Sequence, residues 1–281
     1  MPSRARPRAS LLLTLFFLPL ATGARAAEGE LPAAAAARDA AQAVRMIALP
    51  KEQKLKLDVW ATEPLLANPV AFAFDEKGRV YVSETHRLNG AVLESRARER
   101  WPSKEFRAKA SPERLAQIGT ETLDDELACR TVEDREAMVR KYFVGDLDRF
   151  TKSSEVIRFV ADTNGDGKAD TSKVFAEGFN ELLGGVASGV LLRKGEAWFT
   201  NIPHVWWLRD KDGDGVADER KSHSYGYGVR YGFVGHDMHG LRIGPDGKLY
   251  WSIGDRGAHV ATADGRAVSG VIHNTIHAMG K

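Results

Sequence analysis

The sequence predicts an all-β fold, part of a β-propeller, and three observations carry the prediction. Many segments alternate apolar and polar residues, as half-buried strands do. A strand–turn–strand unit recurs, and its turn glycines Gly195 and Gly247 lie 52 residues apart. An Asp-rich loop that begins at Asp162 returns at Asp210, 48 residues later. Such a shared period is typical of propeller blades, which are four-stranded sheets that bury their faces only against one another.

The first 26 residues predict a secretory signal peptide. Three arginines precede the apolar run 11–20, and Ala24-Arg25-Ala26 supplies the small-x-small pattern of a cleavage site. The alternative is a membrane anchor, but this run is shorter than the roughly 20 residues that a spanning helix needs. We therefore expect an exported chain, periplasmic or extracellular, with membrane association left open and no transmembrane span once the signal is cleaved.

Net charge and cysteine content exclude nucleic acid as a partner and two covalent modifications of cysteine. Four arginines lie in the predicted signal, so its removal takes the formal net charge from +2 to −2. No stripe of basic and aromatic residues remains to bind nucleic acid. Cys129 is the only cysteine, which excludes an internal disulfide and a lipid-modified cysteine after the apolar run. Stability is expected to come from core packing and from bound metal.

The order of segments follows from the change in pattern along the chain. Residues 27–54 form an alanine-rich leader, expected to be helical or disordered. The propeller part is expected over 55–270, starting with alternating residues from Leu55 and a hairpin of two buried strands over 70–82.

The first blade is predicted to be interrupted. Residues 90–150 are charged and nearly free of glycine, which indicates a helical insertion, and helix starts are signalled at Ser111 and Thr131. A regular blade follows over 183–224.

With half of a third blade, the chain holds about two and a half four-stranded blades of an expected six-bladed propeller. Residues 271–281 lack strand alternation, so an irregular end is predicted there. We expect the chain to be the first part of a longer parent protein or a truncated product. The alternative, a small complete sandwich, is disfavoured by the repeat period.

The two Asp-rich loops predict structural calcium sites, because oxygen donors at alternate positions of a glycine-containing loop converge on one point. The expected ligands are Asp162, Asn164, Asp166, the Lys168 carbonyl and Asp170 in the first loop, and Asp210, Asp212, Asp214, the Val216 carbonyl and Asp218 in the second. Both loops depart from an EF-hand, since lysine stands at the twelfth position and the flanks are predicted strands. The alternative is a pair of plain hairpin turns, which Asn-Gly and Asp-Gly make without an ion.

The segment 234–257 carries the most chemistry. It enters a predicted innermost strand, whose start would face the central channel of a propeller. A histidine there can act as a general base near neutral pH, and a carboxylate at the end of the adjoining strand can hold its tautomer.

This segment, from Leu241-Arg242-Ile243-Gly244-Pro245-Asp246 to Ile253-Gly254-Asp255, resembles the catalytic part of soluble quinoprotein glucose dehydrogenases and their sorbosone dehydrogenase relatives. The resemblance implies that His236 is the base and Asp255 its supporting carboxylate, with His239 as a competitor. It also implies pyrroloquinoline quinone as cofactor and a sugar or polyol as substrate, while the electron acceptor stays undetermined.

The opening segment 63–84 is similar to a narrower group, the membrane-bound dehydrogenase domain. Longer members of that group carry a c-type haem segment with a Cys-x-x-Cys-His motif. This motif is absent from the sequence, so no haem c is expected in this chain.

Three functions are therefore open. The first is a quinone-dependent sugar or alcohol dehydrogenase, of which this chain alone is expected to be inactive. The second is a calcium-stabilised scaffold that binds a glycan or a protein without catalysis. The third, lactone hydrolysis at a central metal, needs carboxylates from several blades, and only Glu84 and Asp255 are candidates.

Overall fold

The computed structural model describes residues 32–88, 90–270 and 275–279, so the predicted signal peptide lies outside the described part. The α-helices are α1 (Ala33–Met46), α2 (Lys104–Arg107), α3 (Pro112–Ala116), α4 (Thr122–Ala128) and α5 (Val132–Tyr142). Short 3-10 segments lie at Lys51–Gln53, Ser95–Arg100 and Leu147–Phe150, the second of them kinked at Ala97, and a π-helical turn lies at Gln117–Glu121. None of the described helices is long and apolar enough to cross a membrane.

The described strands form three larger antiparallel sheets and one small hairpin. The first sheet has the order β1 (Pro69–Phe74), β2 (Val80–Glu84), β3 (Glu155–Ala161), β4 (Thr171–Phe179). The second has the order β5 (Val190–Arg193), β6 (Glu196–Asn201), β7 (His204–Arg209), β8 (Glu219–Tyr225). In the third sheet, β10 (Leu249–Ile253) lies between β9 (Met238–Ile243) and β13 (Thr275–Met279), and the hairpin pairs β11 (Ala258–Ala261) with β12 (Ala267–Gly270). The predicted β-rich fold is confirmed.

The three sheets are stacked in chain order, and apolar side chains hold each sheet to the next. The interface of the first and second sheets contains Tyr81, Ile157, Phe159, Phe175, Val190 and Phe199. The interface of the second and third sheets contains Ile202, Val205, Leu241, Leu249 and Trp251. Because residues alternate sides along a strand, the second sheet, which lies between the other two, can bury both of its faces in this way.

The insertion between β2 and β3 folds into short helices with their own core. The Ser111 hydroxyl accepts a hydrogen bond from the backbone N–H of Arg114, and Thr131 forms a reciprocal capping box with Asp134, so both predicted helix starts are confirmed. The core of the insertion consists of Trp101, Ile118, Cys129, Val132, Met138, Val139, Tyr142 and Phe143. Leu183, Val229 and Tyr231 join this core from the loops before β5 and β9, so the insertion lies against those loops.

Strand direction gives the stack two distinct ends. At one end β2, β6 and β10 finish at Glu84, Asn201 and Ile253, and we call this the histidine end because the His236 segment lies there. At the opposite end the turns after β1, β5 and β9 lie beside the two Asp-rich loops, and we call this the aspartate end. The loops of different sheets contact one another at the aspartate end, for example through the Lys173 ammonium and the Asp214 carbonyl, 2.6 Å apart.

Three expectations about strands need correction. Leu55 and its alternating neighbours form no strand, since they lie in an extended loop beside the first sheet. Residues 275–279, predicted to be irregular, form β13, because pairing with β10 stabilises a short segment that has little pattern of its own. The first hairpin is not fully buried: Phe72 and Phe74 of β1 are 65% and 60% exposed, because only the alanine side of β1 faces the second sheet.

Candidate functional site

His236 and Asp255 meet at the histidine end of the third sheet. The Nδ1 atom of His236 lies 3.0 Å from Oδ1 of Asp255, and the two side chains are 49% and 35% exposed. A carboxylate can only accept a hydrogen bond, so Nδ1 carries the proton and the lone pair of a neutral imidazole is on Nε2. The pair is thus oriented as a proton acceptor that solvent and a ligand can reach.

Two residues that lie beside the pair, Gly232 and Gly254, are glycines because the backbone there passes close to His236 and Asp255. Gly254 donates its N–H to the His236 carbonyl at 3.1 Å, and a Cβ at this residue would lie 2.7 Å from the Cβ of His236. Gly232 has a φ of +52°, and a Cβ there would lie 2.5 Å from Oδ1 of Asp255. Both glycines therefore permit the close approach of the two segments.

A second, buried pair of charged side chains lies next to the first. Asp237 and Arg256, the sequence neighbours of His236 and Asp255, form an ion pair whose side chains are 0% and 1% exposed. Oδ2 of Asp237 also accepts the N–H of Val186, 3.1 Å away, from the loop before β5. Sequence reasoning missed this pair, because nothing in a local pattern shows which buried charges will meet.

His239, the competing base, takes no part in this arrangement. Its Nε2 donates to the Gly235 carbonyl at 2.9 Å, and its side chain is exposed. Of the three residues predicted to be catalytic, the structure brings His236 and Asp255 together and leaves His239 apart from them.

The helical insertion contributes to the surroundings of His236. Ser95 donates its N–H to the Gly232 carbonyl at 3.0 Å. The guanidinium of Arg96 stands 4.6 Å from the ring centroid of Phe233, and this ring meets the imidazole of His236 edge-on at 5.4 Å. The ring of Phe233 therefore lies between the exposed guanidinium of Arg96 and the imidazole of the candidate base.

The first sheet carries a buried polar cluster at the same end. Glu84 accepts hydrogen bonds from the Ala67 N–H at 2.8 Å and from Nε of Arg158 at 2.7 Å. Burial alone would raise the pKa of Glu84, but hydrogen bonds from His86, Arg158 and Ala67 outweigh it and hold that pKa below its ordinary value. The same contact with Glu84 raises the pKa of His86.

Glu155 lies beside this cluster and behaves differently. It accepts hydrogen bonds from the backbone N–H groups of His86 and Arg87 and from the Thr85 hydroxyl. Its side chain is fully buried, and burial raises the pKa of Glu155 to about 7. Burial also lowers the pKa of the Arg87 guanidinium to about 10. Apart from the single candidate Glu84, no sequence pattern indicated this cluster.

A further histidine–carboxylate contact lies on the outer part of the second sheet. His204 lies 2.9 Å from Oε2 of Glu181 through Nε2 and 2.8 Å from the Ser222 hydroxyl through Nδ1. Its ring also packs on Trp206 and Tyr225, with centroids 4.3 and 5.0 Å away. These contacts fix the ring on every side, which is the environment of a structural histidine.

The two Asp-rich loops have nearly the same internal hydrogen bonds. In both, the first aspartate (Asp162 or Asp210) accepts two backbone N–H groups of loop glycines. The side chains at the third and fifth positions each accept the N–H two residues on, namely Asp166 from Lys168 in the first loop and Asp214 from Val216 in the second. The repeated sequence thus folds into a repeated loop.

The loops differ in how their acidic groups converge. Asp210, Asp212 and Asp218 each offer an oxygen within 4.8 Å of the others, a spacing that a cation can bridge. Asp214 is outside this group. In the first loop, Asp170 accepts hydrogen bonds from the hydroxyl and N–H of Thr163, and within the described residues the carboxylates of Asp162, Asp166 and Asp170 do not form a comparable group. Both loops are at the aspartate end, across the sheets from His236.

The residues around His236 provide only part of what a quinone site needs. Pyrroloquinoline quinone carries three carboxylates, which call for exposed cations. The guanidinium groups of Arg87, Arg135 and Arg256 are buried and engaged with protein groups. Arg96 is 61% exposed but pairs with Glu94. The described residues near the pair therefore do not by themselves fit this cofactor.

Fold and site together define a β-rich protein of stacked antiparallel sheets that carries an exposed histidine–aspartate pair at one end. The chain belongs to the family described as "Domain of unknown function (DUF7133)", whose profile matches residues 39–276. Neither a curated protein nor a solved structure matches the chain.

Proposed function

We propose that this chain forms part of an exported β-propeller oxidoreductase of the glucose/sorbosone dehydrogenase type, in which His236 accepts a proton from a sugar or polyol hydroxyl. The single observation that carries the proposal is the contact of 3.0 Å between Nδ1 of His236 and Oδ1 of Asp255. It matches the pairing that the resemblance implied, between residues that are 19 positions apart in the chain.

Repetition between the first and third sheets supports the propeller part of the proposal. Phe74 pairs with Val80 and Ile243 pairs with Leu249, across turns that have matching backbone hydrogen bonds. Ile243 and Leu249 pack against the preceding second sheet. The corresponding face of the first sheet carries the exposed Phe72 and Phe74, so it is the face that a further blade would cover in a closed ring.

The chemistry assigned to the pair is general base catalysis. The hydroxyl proton of the substrate would move to Nε2 of His236, and Asp255 would stabilise the imidazolium that forms. A quinone held with the help of further residues would supply the two-electron acceptor that oxidation of the alcohol to a carbonyl requires. Because the nearby guanidinium groups are buried or paired, the carboxylates of pyrroloquinoline quinone would need further residues to hold them.

Calcium belongs to the proposal as a structural ion of the second Asp-rich loop. Asp210, Asp212 and Asp218 supply converging hard oxygen donors. Because the loop is at the aspartate end, its ion would stiffen the hairpin between β7 and β8 and would not touch the substrate. The predicted export signal is compatible with this role, since calcium is plentiful outside the cytoplasm.

The decisive assay measures quinone-dependent dye reduction with a panel of sugars and polyols. The proteins to compare are the full-length protein of which this chain is proposed to form part, in its wild-type form and as His236→Gln and Asp255→Asn, with His239→Gln as a matched control three residues away. We expect activity in the wild type and the control, in the presence of added quinone and calcium, and its loss in the other two. Retained turnover in His236→Gln would reject the assignment of the base. Absence of turnover in the wild type would reject the oxidoreductase.

A glycan- or protein-binding scaffold is the second candidate, favoured by the exposed apolar face of β1 and by the acidic loop. Isothermal titration separates the two functions. A scaffold binds a saccharide or a protein but not the quinone, whereas the oxidoreductase binds the quinone in the absence of substrate.

A further inference from the structure

The candidate base and its carboxylate each have a neighbour in a second, buried pair. His236 and Asp237 precede β9, while Asp255 and Arg256 follow β10. The first member of each dipeptide contributes to the exposed pair and the second to the buried ion pair. Two adjacent residues on one segment thus meet two adjacent residues on the other, and both contacts fix the same backbone separation.

The buried pair is anchored to parts of the fold outside the third sheet. Asp237 accepts the N–H of Val186, and a Cβ on Gly185 would lie 2.5 Å from Oδ2 of Asp237, so the loop before β5 fits closely around this carboxylate. Arg135 of α5 is fully buried, and burial lowers the pKa of its guanidinium, with smaller and opposite effects from the nearby charges of Arg256 and Asp237. The position of Asp237 is therefore fixed by the loop before β5, and a buried charge of the insertion lies nearby.

Arg256 makes different contacts from Arg87, the arginine at the corresponding position after the first sheet's β2. Arg87 lies seven residues after Val80, and Arg256 lies seven residues after Leu249, so the two arginines occupy corresponding positions. Both are buried. The guanidinium of Arg87 donates to backbone carbonyls, including that of Phe150 at 2.6 Å, whereas that of Arg256 is paired with the carboxylate beside His236.

We propose that Asp237 and Arg256 are positioning residues that hold His236 against Asp255 and so keep the proton of the neutral imidazole on Nδ1. The inference rests on the proposed function for its catalytic meaning, but the geometric claim stands without it. Each side chain of the exposed pair is partly open to solvent, and a buried ion pair one residue away limits how far the two backbones can separate. Without this support, water would compete for both partners of the exposed pair.

The test measures the tautomer of His236 by nitrogen NMR on full-length protein labelled with ¹⁵N-histidine, at a pH where the ring is neutral. His236→Gln identifies the signal by removing it. The test variants are Asp237→Asn, which keeps an acceptor for Val186, and Arg256→Gln. The double variant replaces the ion pair with two neutral amides and leaves no buried charge without its partner. Arg87→Gln is the matched control, because it alters an equally buried arginine at the corresponding position.

The wild type and Arg87→Gln are expected to show the proton of His236 on Nδ1. In folded Asp237→Asn, Arg256→Gln or the double variant, the signal is expected to shift toward the Nε2–H form that solvent-exposed histidines favour. A folded variant of the ion pair with the wild-type tautomer would overturn the proposal, and so would an equal change in Arg87→Gln. If both single variants unfold, the neutral double variant decides the question by the same signal.

The two proposals fail in different ways. A wild type that shows the Nδ1–H form but has no quinone-dependent turnover removes the oxidoreductase and leaves the positioning role. A tautomer that does not respond to the ion pair removes the positioning role, whatever the activity.

Discussion

Replacing Glu155 with glutamine is expected to remove most of the pH dependence of stability between pH 5 and 6.5. Glu155 is fully buried, and burial raises its pKa to about 7, whereas the same group in the unfolded chain titrates near 4.5. Between these values the folded protein holds a proton that the unfolded chain has lost. Stability therefore falls as the pH rises through this window.

The size of the effect follows from the difference between the two pKa values. At about 1.4 kcal/mol per pKa unit, the free energy of unfolding falls by about 2 kcal/mol between pH 5 and 6.5. His86 acts in the same direction at higher pH, because its raised pKa contributes stability that is complete below about pH 6.5 and is lost above it. The change in the free energy of unfolding between pH 5 and 6.5 is therefore due mainly to Glu155.

Urea unfolding followed by tryptophan fluorescence at several pH values measures this slope. Glu155→Gln loses one backbone hydrogen bond at all pH values, about 1 kcal/mol, but is expected to show a nearly flat profile from pH 5 to 6.5. Glu84→Gln is the control: the pKa of Glu84 is lowered, so this variant is less stable throughout yet keeps the wild-type slope. A Glu155→Gln protein with an unchanged slope would refute the reasoning.

Three more predictions concern the core, a tight contact and the second Asp-rich loop. Phe199 is 0% exposed and packs on Phe179 with ring centroids 4.7 Å apart. Phe199→Ala is therefore expected to lower the free energy of unfolding in urea by about 3–5 kcal/mol, and a loss below about 1 kcal/mol would contradict the packing. In Gly185→Ala the new Cβ would lie 2.3 Å from Cγ1 of Ile202, and we expect a loss of about 1–3 kcal/mol by the same measurement. Gly119→Ala is the control, since Gly119 has no positive φ and no atom would lie within 4 Å of its new Cβ. Calcium is expected to raise the melting temperature in calorimetry, and both EGTA and Asp212→Asn are expected to abolish the rise. Asp264→Asn, at an exposed turn aspartate, is expected to retain it, and a calcium response that survives Asp212→Asn would place the ion elsewhere.

Local patterns were sufficient to predict most of the strands, the helix starts and the repeated loops. A capping residue such as Thr131 acts on the turn that follows it, and the turns around Gly195 and Gly247 are determined by their own residues. The His236–Asp255 contact was also predictable, since a resemblance over one hairpin includes both residues.

The missed features depend on contacts between distant segments. The ion pair of Asp237 and Arg256 arises from the packing of the third sheet against the loop before β5. β13 depends on its partner β10 and was not visible in its own sequence. In β1 both sides are apolar, so the pattern could not show that the alanine side would face the second sheet and the phenylalanine side would not.

The exposed side of β1 has a practical consequence for handling the protein in solution. Among the described strands, β1 pairs only with β2, so its outer edge presents backbone groups next to Phe72 and Phe74. An unpaired apolar edge is a template for association with another chain. Concentrated samples of this chain are therefore expected to self-associate through β1, and Phe72→Lys is expected to keep them monomeric in light scattering without altering the His236 end.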